Sequence, residues 1–210
     1  MTSDPSNVDD LLARAKSGDE QALADLFNRY RDRLRRMVHL RLDRHLQGRL
    51  DASDIMQEAF IEFARRLPQY SADCGMPFFL WLRQITGQKL IDLHRHHLGA
   101  KMRDAAQEVS LYRGALPQAS SVSLAAQLLG KLTTASLAAM RAETQLRVQE
   151  ALNSMDPLDR EVLTLRHFEM MSNEETAQVL GIKKTAASNR YIRALKRLKE
   201  MLAGMPEWGG

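Results

Sequence analysis

Near the end of this chain, residues 183–199 hold seven Lys or Arg and no acid. Just ahead stands Ser172-Asn173-Glu174-Glu175, the pattern of a capping box, in which the Ser hydroxyl and the Glu carboxylate satisfy two helix-opening N–H groups. Gly181 follows where a left-handed residue would close a helix of about two turns. Placing Tyr191, Ala194, Leu195 and Leu198 inward at helical spacing leaves Thr185, Asn189, Arg193 and Lys196 on a wholly polar outer face. Lys183, Lys184, Ser188 and Arg190 belong to the same block. Short Thr and Asn side chains can reach base edges in a major groove, and Arg and Lys can engage phosphate or guanine. A short helix, a tight turn and a longer basic helix have the proportions of a helix-turn-helix. The competing reading is a basic solvated helix in an ordinary bundle.

Charge alternates in sign along the rest of the chain. Residues 29–49 carry eight Arg against two Asp, residues 50–82 two Arg against five acids, and residues 83–103 five Lys or Arg against Asp92 alone. Residues 151–175 return to six acids against two Arg, ahead of the basic block. Within the acidic stretch Ile55, Ala59, Phe60, Phe63 and Leu67 share one helix face, leaving Asp54, Gln57, Glu58 and Glu62 for the others. Such a face is either merely solvated or suited to a basic or polar partner surface.

These groups need helices to hold them. With 44% apolar, 27% charged and only 6% aromatic residues over 210 positions, and 17 Gly and Pro together, the composition predicts an all-α globular protein and excludes collagen-like and wholly disordered chains. The length suits two small domains. Periodicity predicts helices over 8–16, from Asp19 to about 46, from Asp51 or Ser53 to Pro68, and from Pro77 to about Leu98, with Gly18 closing the first. Residues 104–135 read as a linker holding one short helix. Helices resume at 136–153, from Asp156-Pro157 to about Met170, and through the two described above. The expected domains are therefore 1–103 and 136–210, both helical, joined by 104–135.

At this point the residues carry a resemblance. MDPLDREVLTLRHFEMMSNEETAQVLGIKKTAASNRYIRALKRLKEML resembles the promoter-binding domain of bacterial sigma factors. DASDIMQEAFIEFARRL resembles the polymerase-docking helix of that family, and FFLWLRQITGQKLIDLHRHH the helix that melts and reads the minus-ten element. Two such blocks over 8–100 and 140–202, with no middle domain, are similar in layout to the extracytoplasmic-function (ECF) group of the sigma-70 family.

The resemblance implies a factor that binds core RNA polymerase, directs it to promoter DNA and helps to open the duplex, with an anti-sigma factor as a further class of partner. It implies minus-thirty-five contacts from Lys183, Lys184, Thr185, Ser188, Asn189, Arg190, Arg193 and Lys196. Asp54, Gln57, Glu58 and Glu62 would face polymerase. Strand opening requires aromatic or pocket-forming residues beside cations. By analogy with the family, Tyr70 would capture a flipped base, Arg83, Lys89 and Arg95 would track phosphate, and Gln88 would join them at the minus-ten element; Trp81, at helical spacing with Phe78 and Ile85, reads as core. Gln88 stands where many relatives have Asn, and Ala186 and Ala187 replace bulkier residues.

Other chemistries find less support. Asp92 and His96 lie one helical turn apart, but no second Cys or His cluster completes a metal site, so no cofactor is expected. No phosphate loop, nucleophile elbow or zinc-protease motif is present, so no enzyme is expected. Cys74 stands alone, and the N-terminus lacks a signal-peptide pattern, which together with the absence of long apolar runs predicts a cytoplasmic protein. The alternatives are a polymerase-independent helix-turn-helix regulator and an adaptor that binds only proteins.

Overall fold

The structure is a computed structural model that describes residues 5–43, 46, 51–71, 75–98, 116–129 and 138–203. Every regular element among them is helical: α1 Pro5–Lys16, α2 Glu20–Arg41, α3 Ala52–Arg66, α4 Phe78–Leu98, α5 Ser121–Leu129, α6 Ala138–Asn153, α7 Pro157–Leu163, α8 Asn173–Leu180 and α9 Lys184–Ala203. They form two compact units, one of residues 1–38 and 44–103, the other of residues 39–43 and 104–210.

In the first unit α2 opens on Asp19, whose carboxylate accepts from the Ala22 backbone N–H at 3.0 Å and from Arg14 Nη2 at 2.7 Å. The Ala22 N–H first, and then Arg14, hold that carboxyl below its ordinary range. Gly18, at φ +97°, makes the turn between α1 and α2. One apolar face of α2 is buried, with Leu26, Leu34 and Val38 fully enclosed. It meets Phe63 of α3 and Phe78 and Phe79 of α4 in a chain of aromatic contacts, including Phe27 to Phe63 at 5.7 Å and Tyr30 to Phe78 at 5.7 Å. α3 begins with a capping box between Asp51 and Asp54 and passes into a 3-10 turn, Leu67–Gln69, at Pro68.

In the second unit Leu124 and Ala125 of α5, Val148 and Leu152 of α6, Leu163 of α7 and Ala194 and Leu198 of α9 share one buried cluster with Leu40. Burying each large aliphatic side chain contributes about 1.5–3 kcal/mol. The expected linker thus supplies core residues at 119–125. Its segments 104–115 and 130–135, like Cys74, lie outside the described residues.

Two expected helices end early. α2 stops at Arg41 rather than near residue 46, and the helix from Asp156 stops at Leu163, where a π-turn over Thr164–Phe168 replaces the last α-turn. Within that turn the Glu169 N–H reaches back five residues to Thr164 O at 2.9 Å. The π-turn lets Glu161 and Glu169 converge on one cation. Arg41, with a side chain only 1% exposed, donates from Nε to Glu169 at 2.8 Å, from Nη1 to Pro117 O at 2.9 Å and from Nη2 to Glu161 at 2.5 Å. Burial alone would lower the pKa of this guanidinium, but the two carboxylates outweigh it and raise it. Arg160 is lowered, by burial first and also by its neighbour Arg41, and its Nη2 donates to Ala119 O at 2.6 Å.

Beyond the π-turn and its cap Glu169, Met170 is exposed and sits at φ +57°, a left-handed conformation that costs a side-chain-bearing residue about 1 kcal/mol. Met170→Gly should therefore raise stability by up to about 1 kcal/mol in a denaturant melt, because little buried surface is lost. Arg41→Ala should cost about 3–5 kcal/mol in the same assay, since Glu169 would remain buried without its cation.

Candidate functional site

The helix-turn-helix forms as its sequence directs. Ser172 Oγ accepts from the Glu175 N–H at 3.1 Å, and Glu175 Oε2 accepts from the Ser172 N–H at 2.7 Å, completing the capping box. α8 then closes at Gly181, φ +63°, with the Ile182 N–H donating to Ala177 O at 3.0 Å and the Gly181 N–H to Gln178 O at 3.3 Å. That pair of bonds is a Schellman motif. Asn173 Nδ2 donates to Lys184 O at 2.8 Å and so ties the start of α8 to the start of α9. Ala177 and Ala187 are buried between the two helices, where small side chains permit close approach.

On α9 the outer face expected from periodicity is present. Lys183, Lys184, Thr185, Asn189, Arg193 and Lys196 are exposed and Ser188 is half-exposed. Periodicity places Leu195 inward, but it is exposed, as is Ile192, because Ala187, Tyr191, Ala194, Leu198 and Met201 fill the seam. Tyr191 is half-buried under the Arg166 guanidinium, 4.7 Å from the ring centre. Arg190 is not an outward residue. Its Nη1 donates to Asp159 Oδ1 at 2.6 Å and reaches Asp156 Oδ1 at 3.4 Å, so its charge joins α9 to α7. Asp159 also pairs with Arg193, Nε to Oδ2 at 3.0 Å.

On α3, Asp54, Gln57 and Glu58 are exposed along one stripe, which continues into Ile61, 62% exposed. Sequence reasoning overlooked Ile61, although its three-residue step from Glu58 puts it on that stripe. Asp54 also accepts from the Asp51 N–H at 2.9 Å as the partner in the capping box. Glu62 departs from the expectation of a docking group. It is buried, with Arg65 Nη2 at 2.6 Å from Oε1, Arg66 Nε bonded to the same oxygen and Lys89 Nζ 3.8 Å from Oε2. Arg65 first, then Arg66, hold its carboxyl below the ordinary range against the opposing effect of burial.

Of the residues expected to contact opened DNA, Arg95 is exposed at the end of α4 and Gln88 is exposed with its amide donating to Asp92 at 2.8 Å. Lys89 is half-buried and lies 3.9 Å from Glu58, so two residues read separately from the sequence are neighbours. Two others require correction. Tyr70 is only 5% exposed, its hydroxyl donating to Met76 O at 3.1 Å and its ring packed 4.9 Å from Trp81 and 5.3 Å from Phe78. Stacking on Phe78 and Trp81 is the reason: the ring meets aromatic neighbours, not an open face. Arg83 is likewise buried and offers no surface to a phosphate. Trp81 is half-buried and packs against Phe63 as well as Tyr70. Among the described residues no group of three or more His, Cys, Asp or Glu could hold a metal ion, and no helix is long and apolar enough to cross a membrane.

A family model for the ECF sigma factor matches residues 5–203, which includes both units and the whole helix-turn-helix. The chain belongs to the ECF sigma factor family. Among its relatives, the ECF RNA polymerase sigma factor SigD of Mycobacterium tuberculosis is 29% identical over 99% of this chain and 90% of its own. The ECF RNA polymerase sigma factor ShbA of Streptomyces griseus is 30% identical over 91% and 93%. A solved structure of CnrH in complex with the cytosolic domain of CnrY shares the fold, with a TM-score of 0.54 and 24% identity over 93% of this chain and 96% of that one.

The lowered Glu62 carboxyl fixes the sign of a pH effect in this sigma factor. Its contribution is fully present above the ordinary carboxylate pKa and is lost as pH falls through the depressed folded value. Glu62→Gln should therefore be less stable than the parent near neutral pH, with the difference narrowing as the pH of a thermal melt is taken into the acid range.

Proposed function

We propose that this chain is a promoter-specific transcription initiation factor that binds core RNA polymerase and contacts promoter DNA with both units. The observation that carries the reading is α9 itself: an exposed stripe of Thr185, Asn189, Arg193 and Lys196, flanked by Lys183, Lys184 and Ser188, held on a capped helix-turn-helix. A helix with this face fits a B-DNA major groove and would read the minus-thirty-five element. The region 1–103 would dock polymerase and act at the minus-ten element, and 136–210 would carry the upstream contact. The relatives, named as RNA polymerase sigma factors, support the same partner.

In the first unit the polymerase contact falls to Asp54, Gln57 and Glu58, with Ile61 supplying apolar area at the end of the stripe. Gln88, Lys89 and Arg95 are the α4 residues placed to meet the opened strand. Tyr70 acts behind them as a buried support of the loop before α4. Membership of the ECF sigma factor family makes an anti-sigma protein a further class of partner. No residue of this chain is assigned a catalytic role, and its place of action is the cytoplasm, where polymerase and promoter are found.

Gel filtration with core polymerase from the same bacterium should give a stoichiometric complex, and elution as separate species would turn the reading toward a polymerase-independent regulator. Asn189→Ala should weaken holoenzyme binding to promoter duplex about tenfold while leaving the polymerase complex intact. Glu58→Lys should reverse that pattern. Equal loss of polymerase association in both variants would show that the two surfaces are not separate. Promoter affinity should also fall steeply with salt, as phosphate contacts require.

A further inference from the structure

Asp159 lies on α7, outside the helix-turn-helix, yet it touches two cations of α9. Its side chain is 8% exposed, and Arg190 occupies one carboxylate oxygen at 2.6 Å and Arg193 the other at 3.0 Å. The two contacts differ in kind. Arg190, itself largely covered, meets the need of a buried carboxylate for a partner. Arg193 is 60% exposed, and an exposed ion pair of that sort adds little stability because an otherwise free side chain is held in one pose.

The geometry of that pose carries the argument. The ion pair is made at Nε, and the two terminal nitrogens of Arg193 have no other partner among the described residues. Arg193 stands on the exposed face shared with Asn189, four residues earlier, and Lys196, three residues later. A guanidinium drawn to a carboxylate on its Nε side offers its terminal donors as a fork suited to guanine O6 and N7. We infer that Asp159 is a positioning residue for base recognition, holding Arg193 so that its terminal nitrogens face a guanine edge of the bound duplex.

The inference rests on the reading that α9 enters the major groove. It adds an effect of opposite sign for generic binding, because a carboxylate beside a polyanion disfavours phosphate contacts that bring no base contact. A positioning role thus differs from a structural one: removing the charge harms the chosen sequence and not an arbitrary one.

The test uses the full-length chain in complex with core polymerase and a pool of DNA duplexes with a randomised segment. Wild type should enrich a sequence with a guanine at the position read by Arg193. Asp159→Asn should lose that preference and bind the enriched duplex about tenfold more weakly, while a scrambled duplex is bound equally or more tightly. In an Arg193→Ala background, Asp159→Asn should cause no further loss for the enriched duplex. Arg193→Lys leaves the Asp159–Arg190 pair in place and should lose the same guanine preference with an unchanged melting temperature, which separates positioning from folding. Retention of the full preference by Asp159→Asn would overturn the inference, as would equal weakening toward both duplexes. If wild type enriches no sequence at all, the groove reading itself fails and the inference with it.

Discussion

Arg41 is a full positive charge almost without access to water, and much of the second unit is arranged around that fact. A guanidinium in such a place has to find acceptors for its N–H groups, because an unmatched buried charge costs several kcal/mol. Glu161 and Glu169, on either side of the π-turn, and the carbonyl of Pro117 supply them from two other stretches of chain. Next to it the Ser120 N–H donates to Leu40 O at 2.8 Å, so the stretch leading into α5 is fastened at two neighbouring points. The π-turn is the local cost of bringing Glu169 round to the same site as Glu161. A set of apolar residues could provide similar stability, but it would not specify which three stretches meet. Hydrophobic burial supplies the bulk of the energy in this unit, and the ionic cluster selects the arrangement.

The same logic, with less burial, operates at the helix that faces outward. α9 is too basic to be placed by apolar contacts alone, since Ala187, Ala194 and Leu198 are its buried side chains among the described residues. Arg190 compensates by pairing with Asp159 and Asp156 at the start of α7, and Arg193 touches the same Asp159 while staying largely exposed. One basic helix therefore contains residues of two kinds. Those on the α7 side are part of the scaffold, and those on the opposite side are available to a ligand of opposite charge.

Much of this was legible in the sequence, and the parts that were not have a common cause. Helix starts were marked by local chemistry, and Asp19, Asp51, Asp156 and Ser172 all cap as their residue types suggest. The outer face of α9 followed from periodicity. The inward assignment of Leu195 failed because periodicity gives an angle around the helix and not the width of the covered stripe. Tyr70 and Arg83 looked like functional groups in a loop and on a helix, but partners distant in sequence, Trp81 for Tyr70 among them, decide their exposure. Glu62 appeared to be a fourth member of an acidic face, and only the neighbouring turn of α3 and Lys89 of α4 reveal it as an internal neutraliser. Pairings such as Arg41 with Glu169, separated by more than a hundred residues, leave no periodic trace at all.

The Schellman bonds at Gly181 and the amide of Asn173 on Lys184 O fix α9 against α8 from within the unit. A recognition element that must first be ordered by its ligand loses conformational freedom at the moment of contact, and its affinity is lower by that amount. Here the ordering is completed when the unit folds. The orientation of α9 is set before any partner arrives, so encounters with many different duplexes present the same rigid surface each time, and discrimination among them falls to the side chains alone.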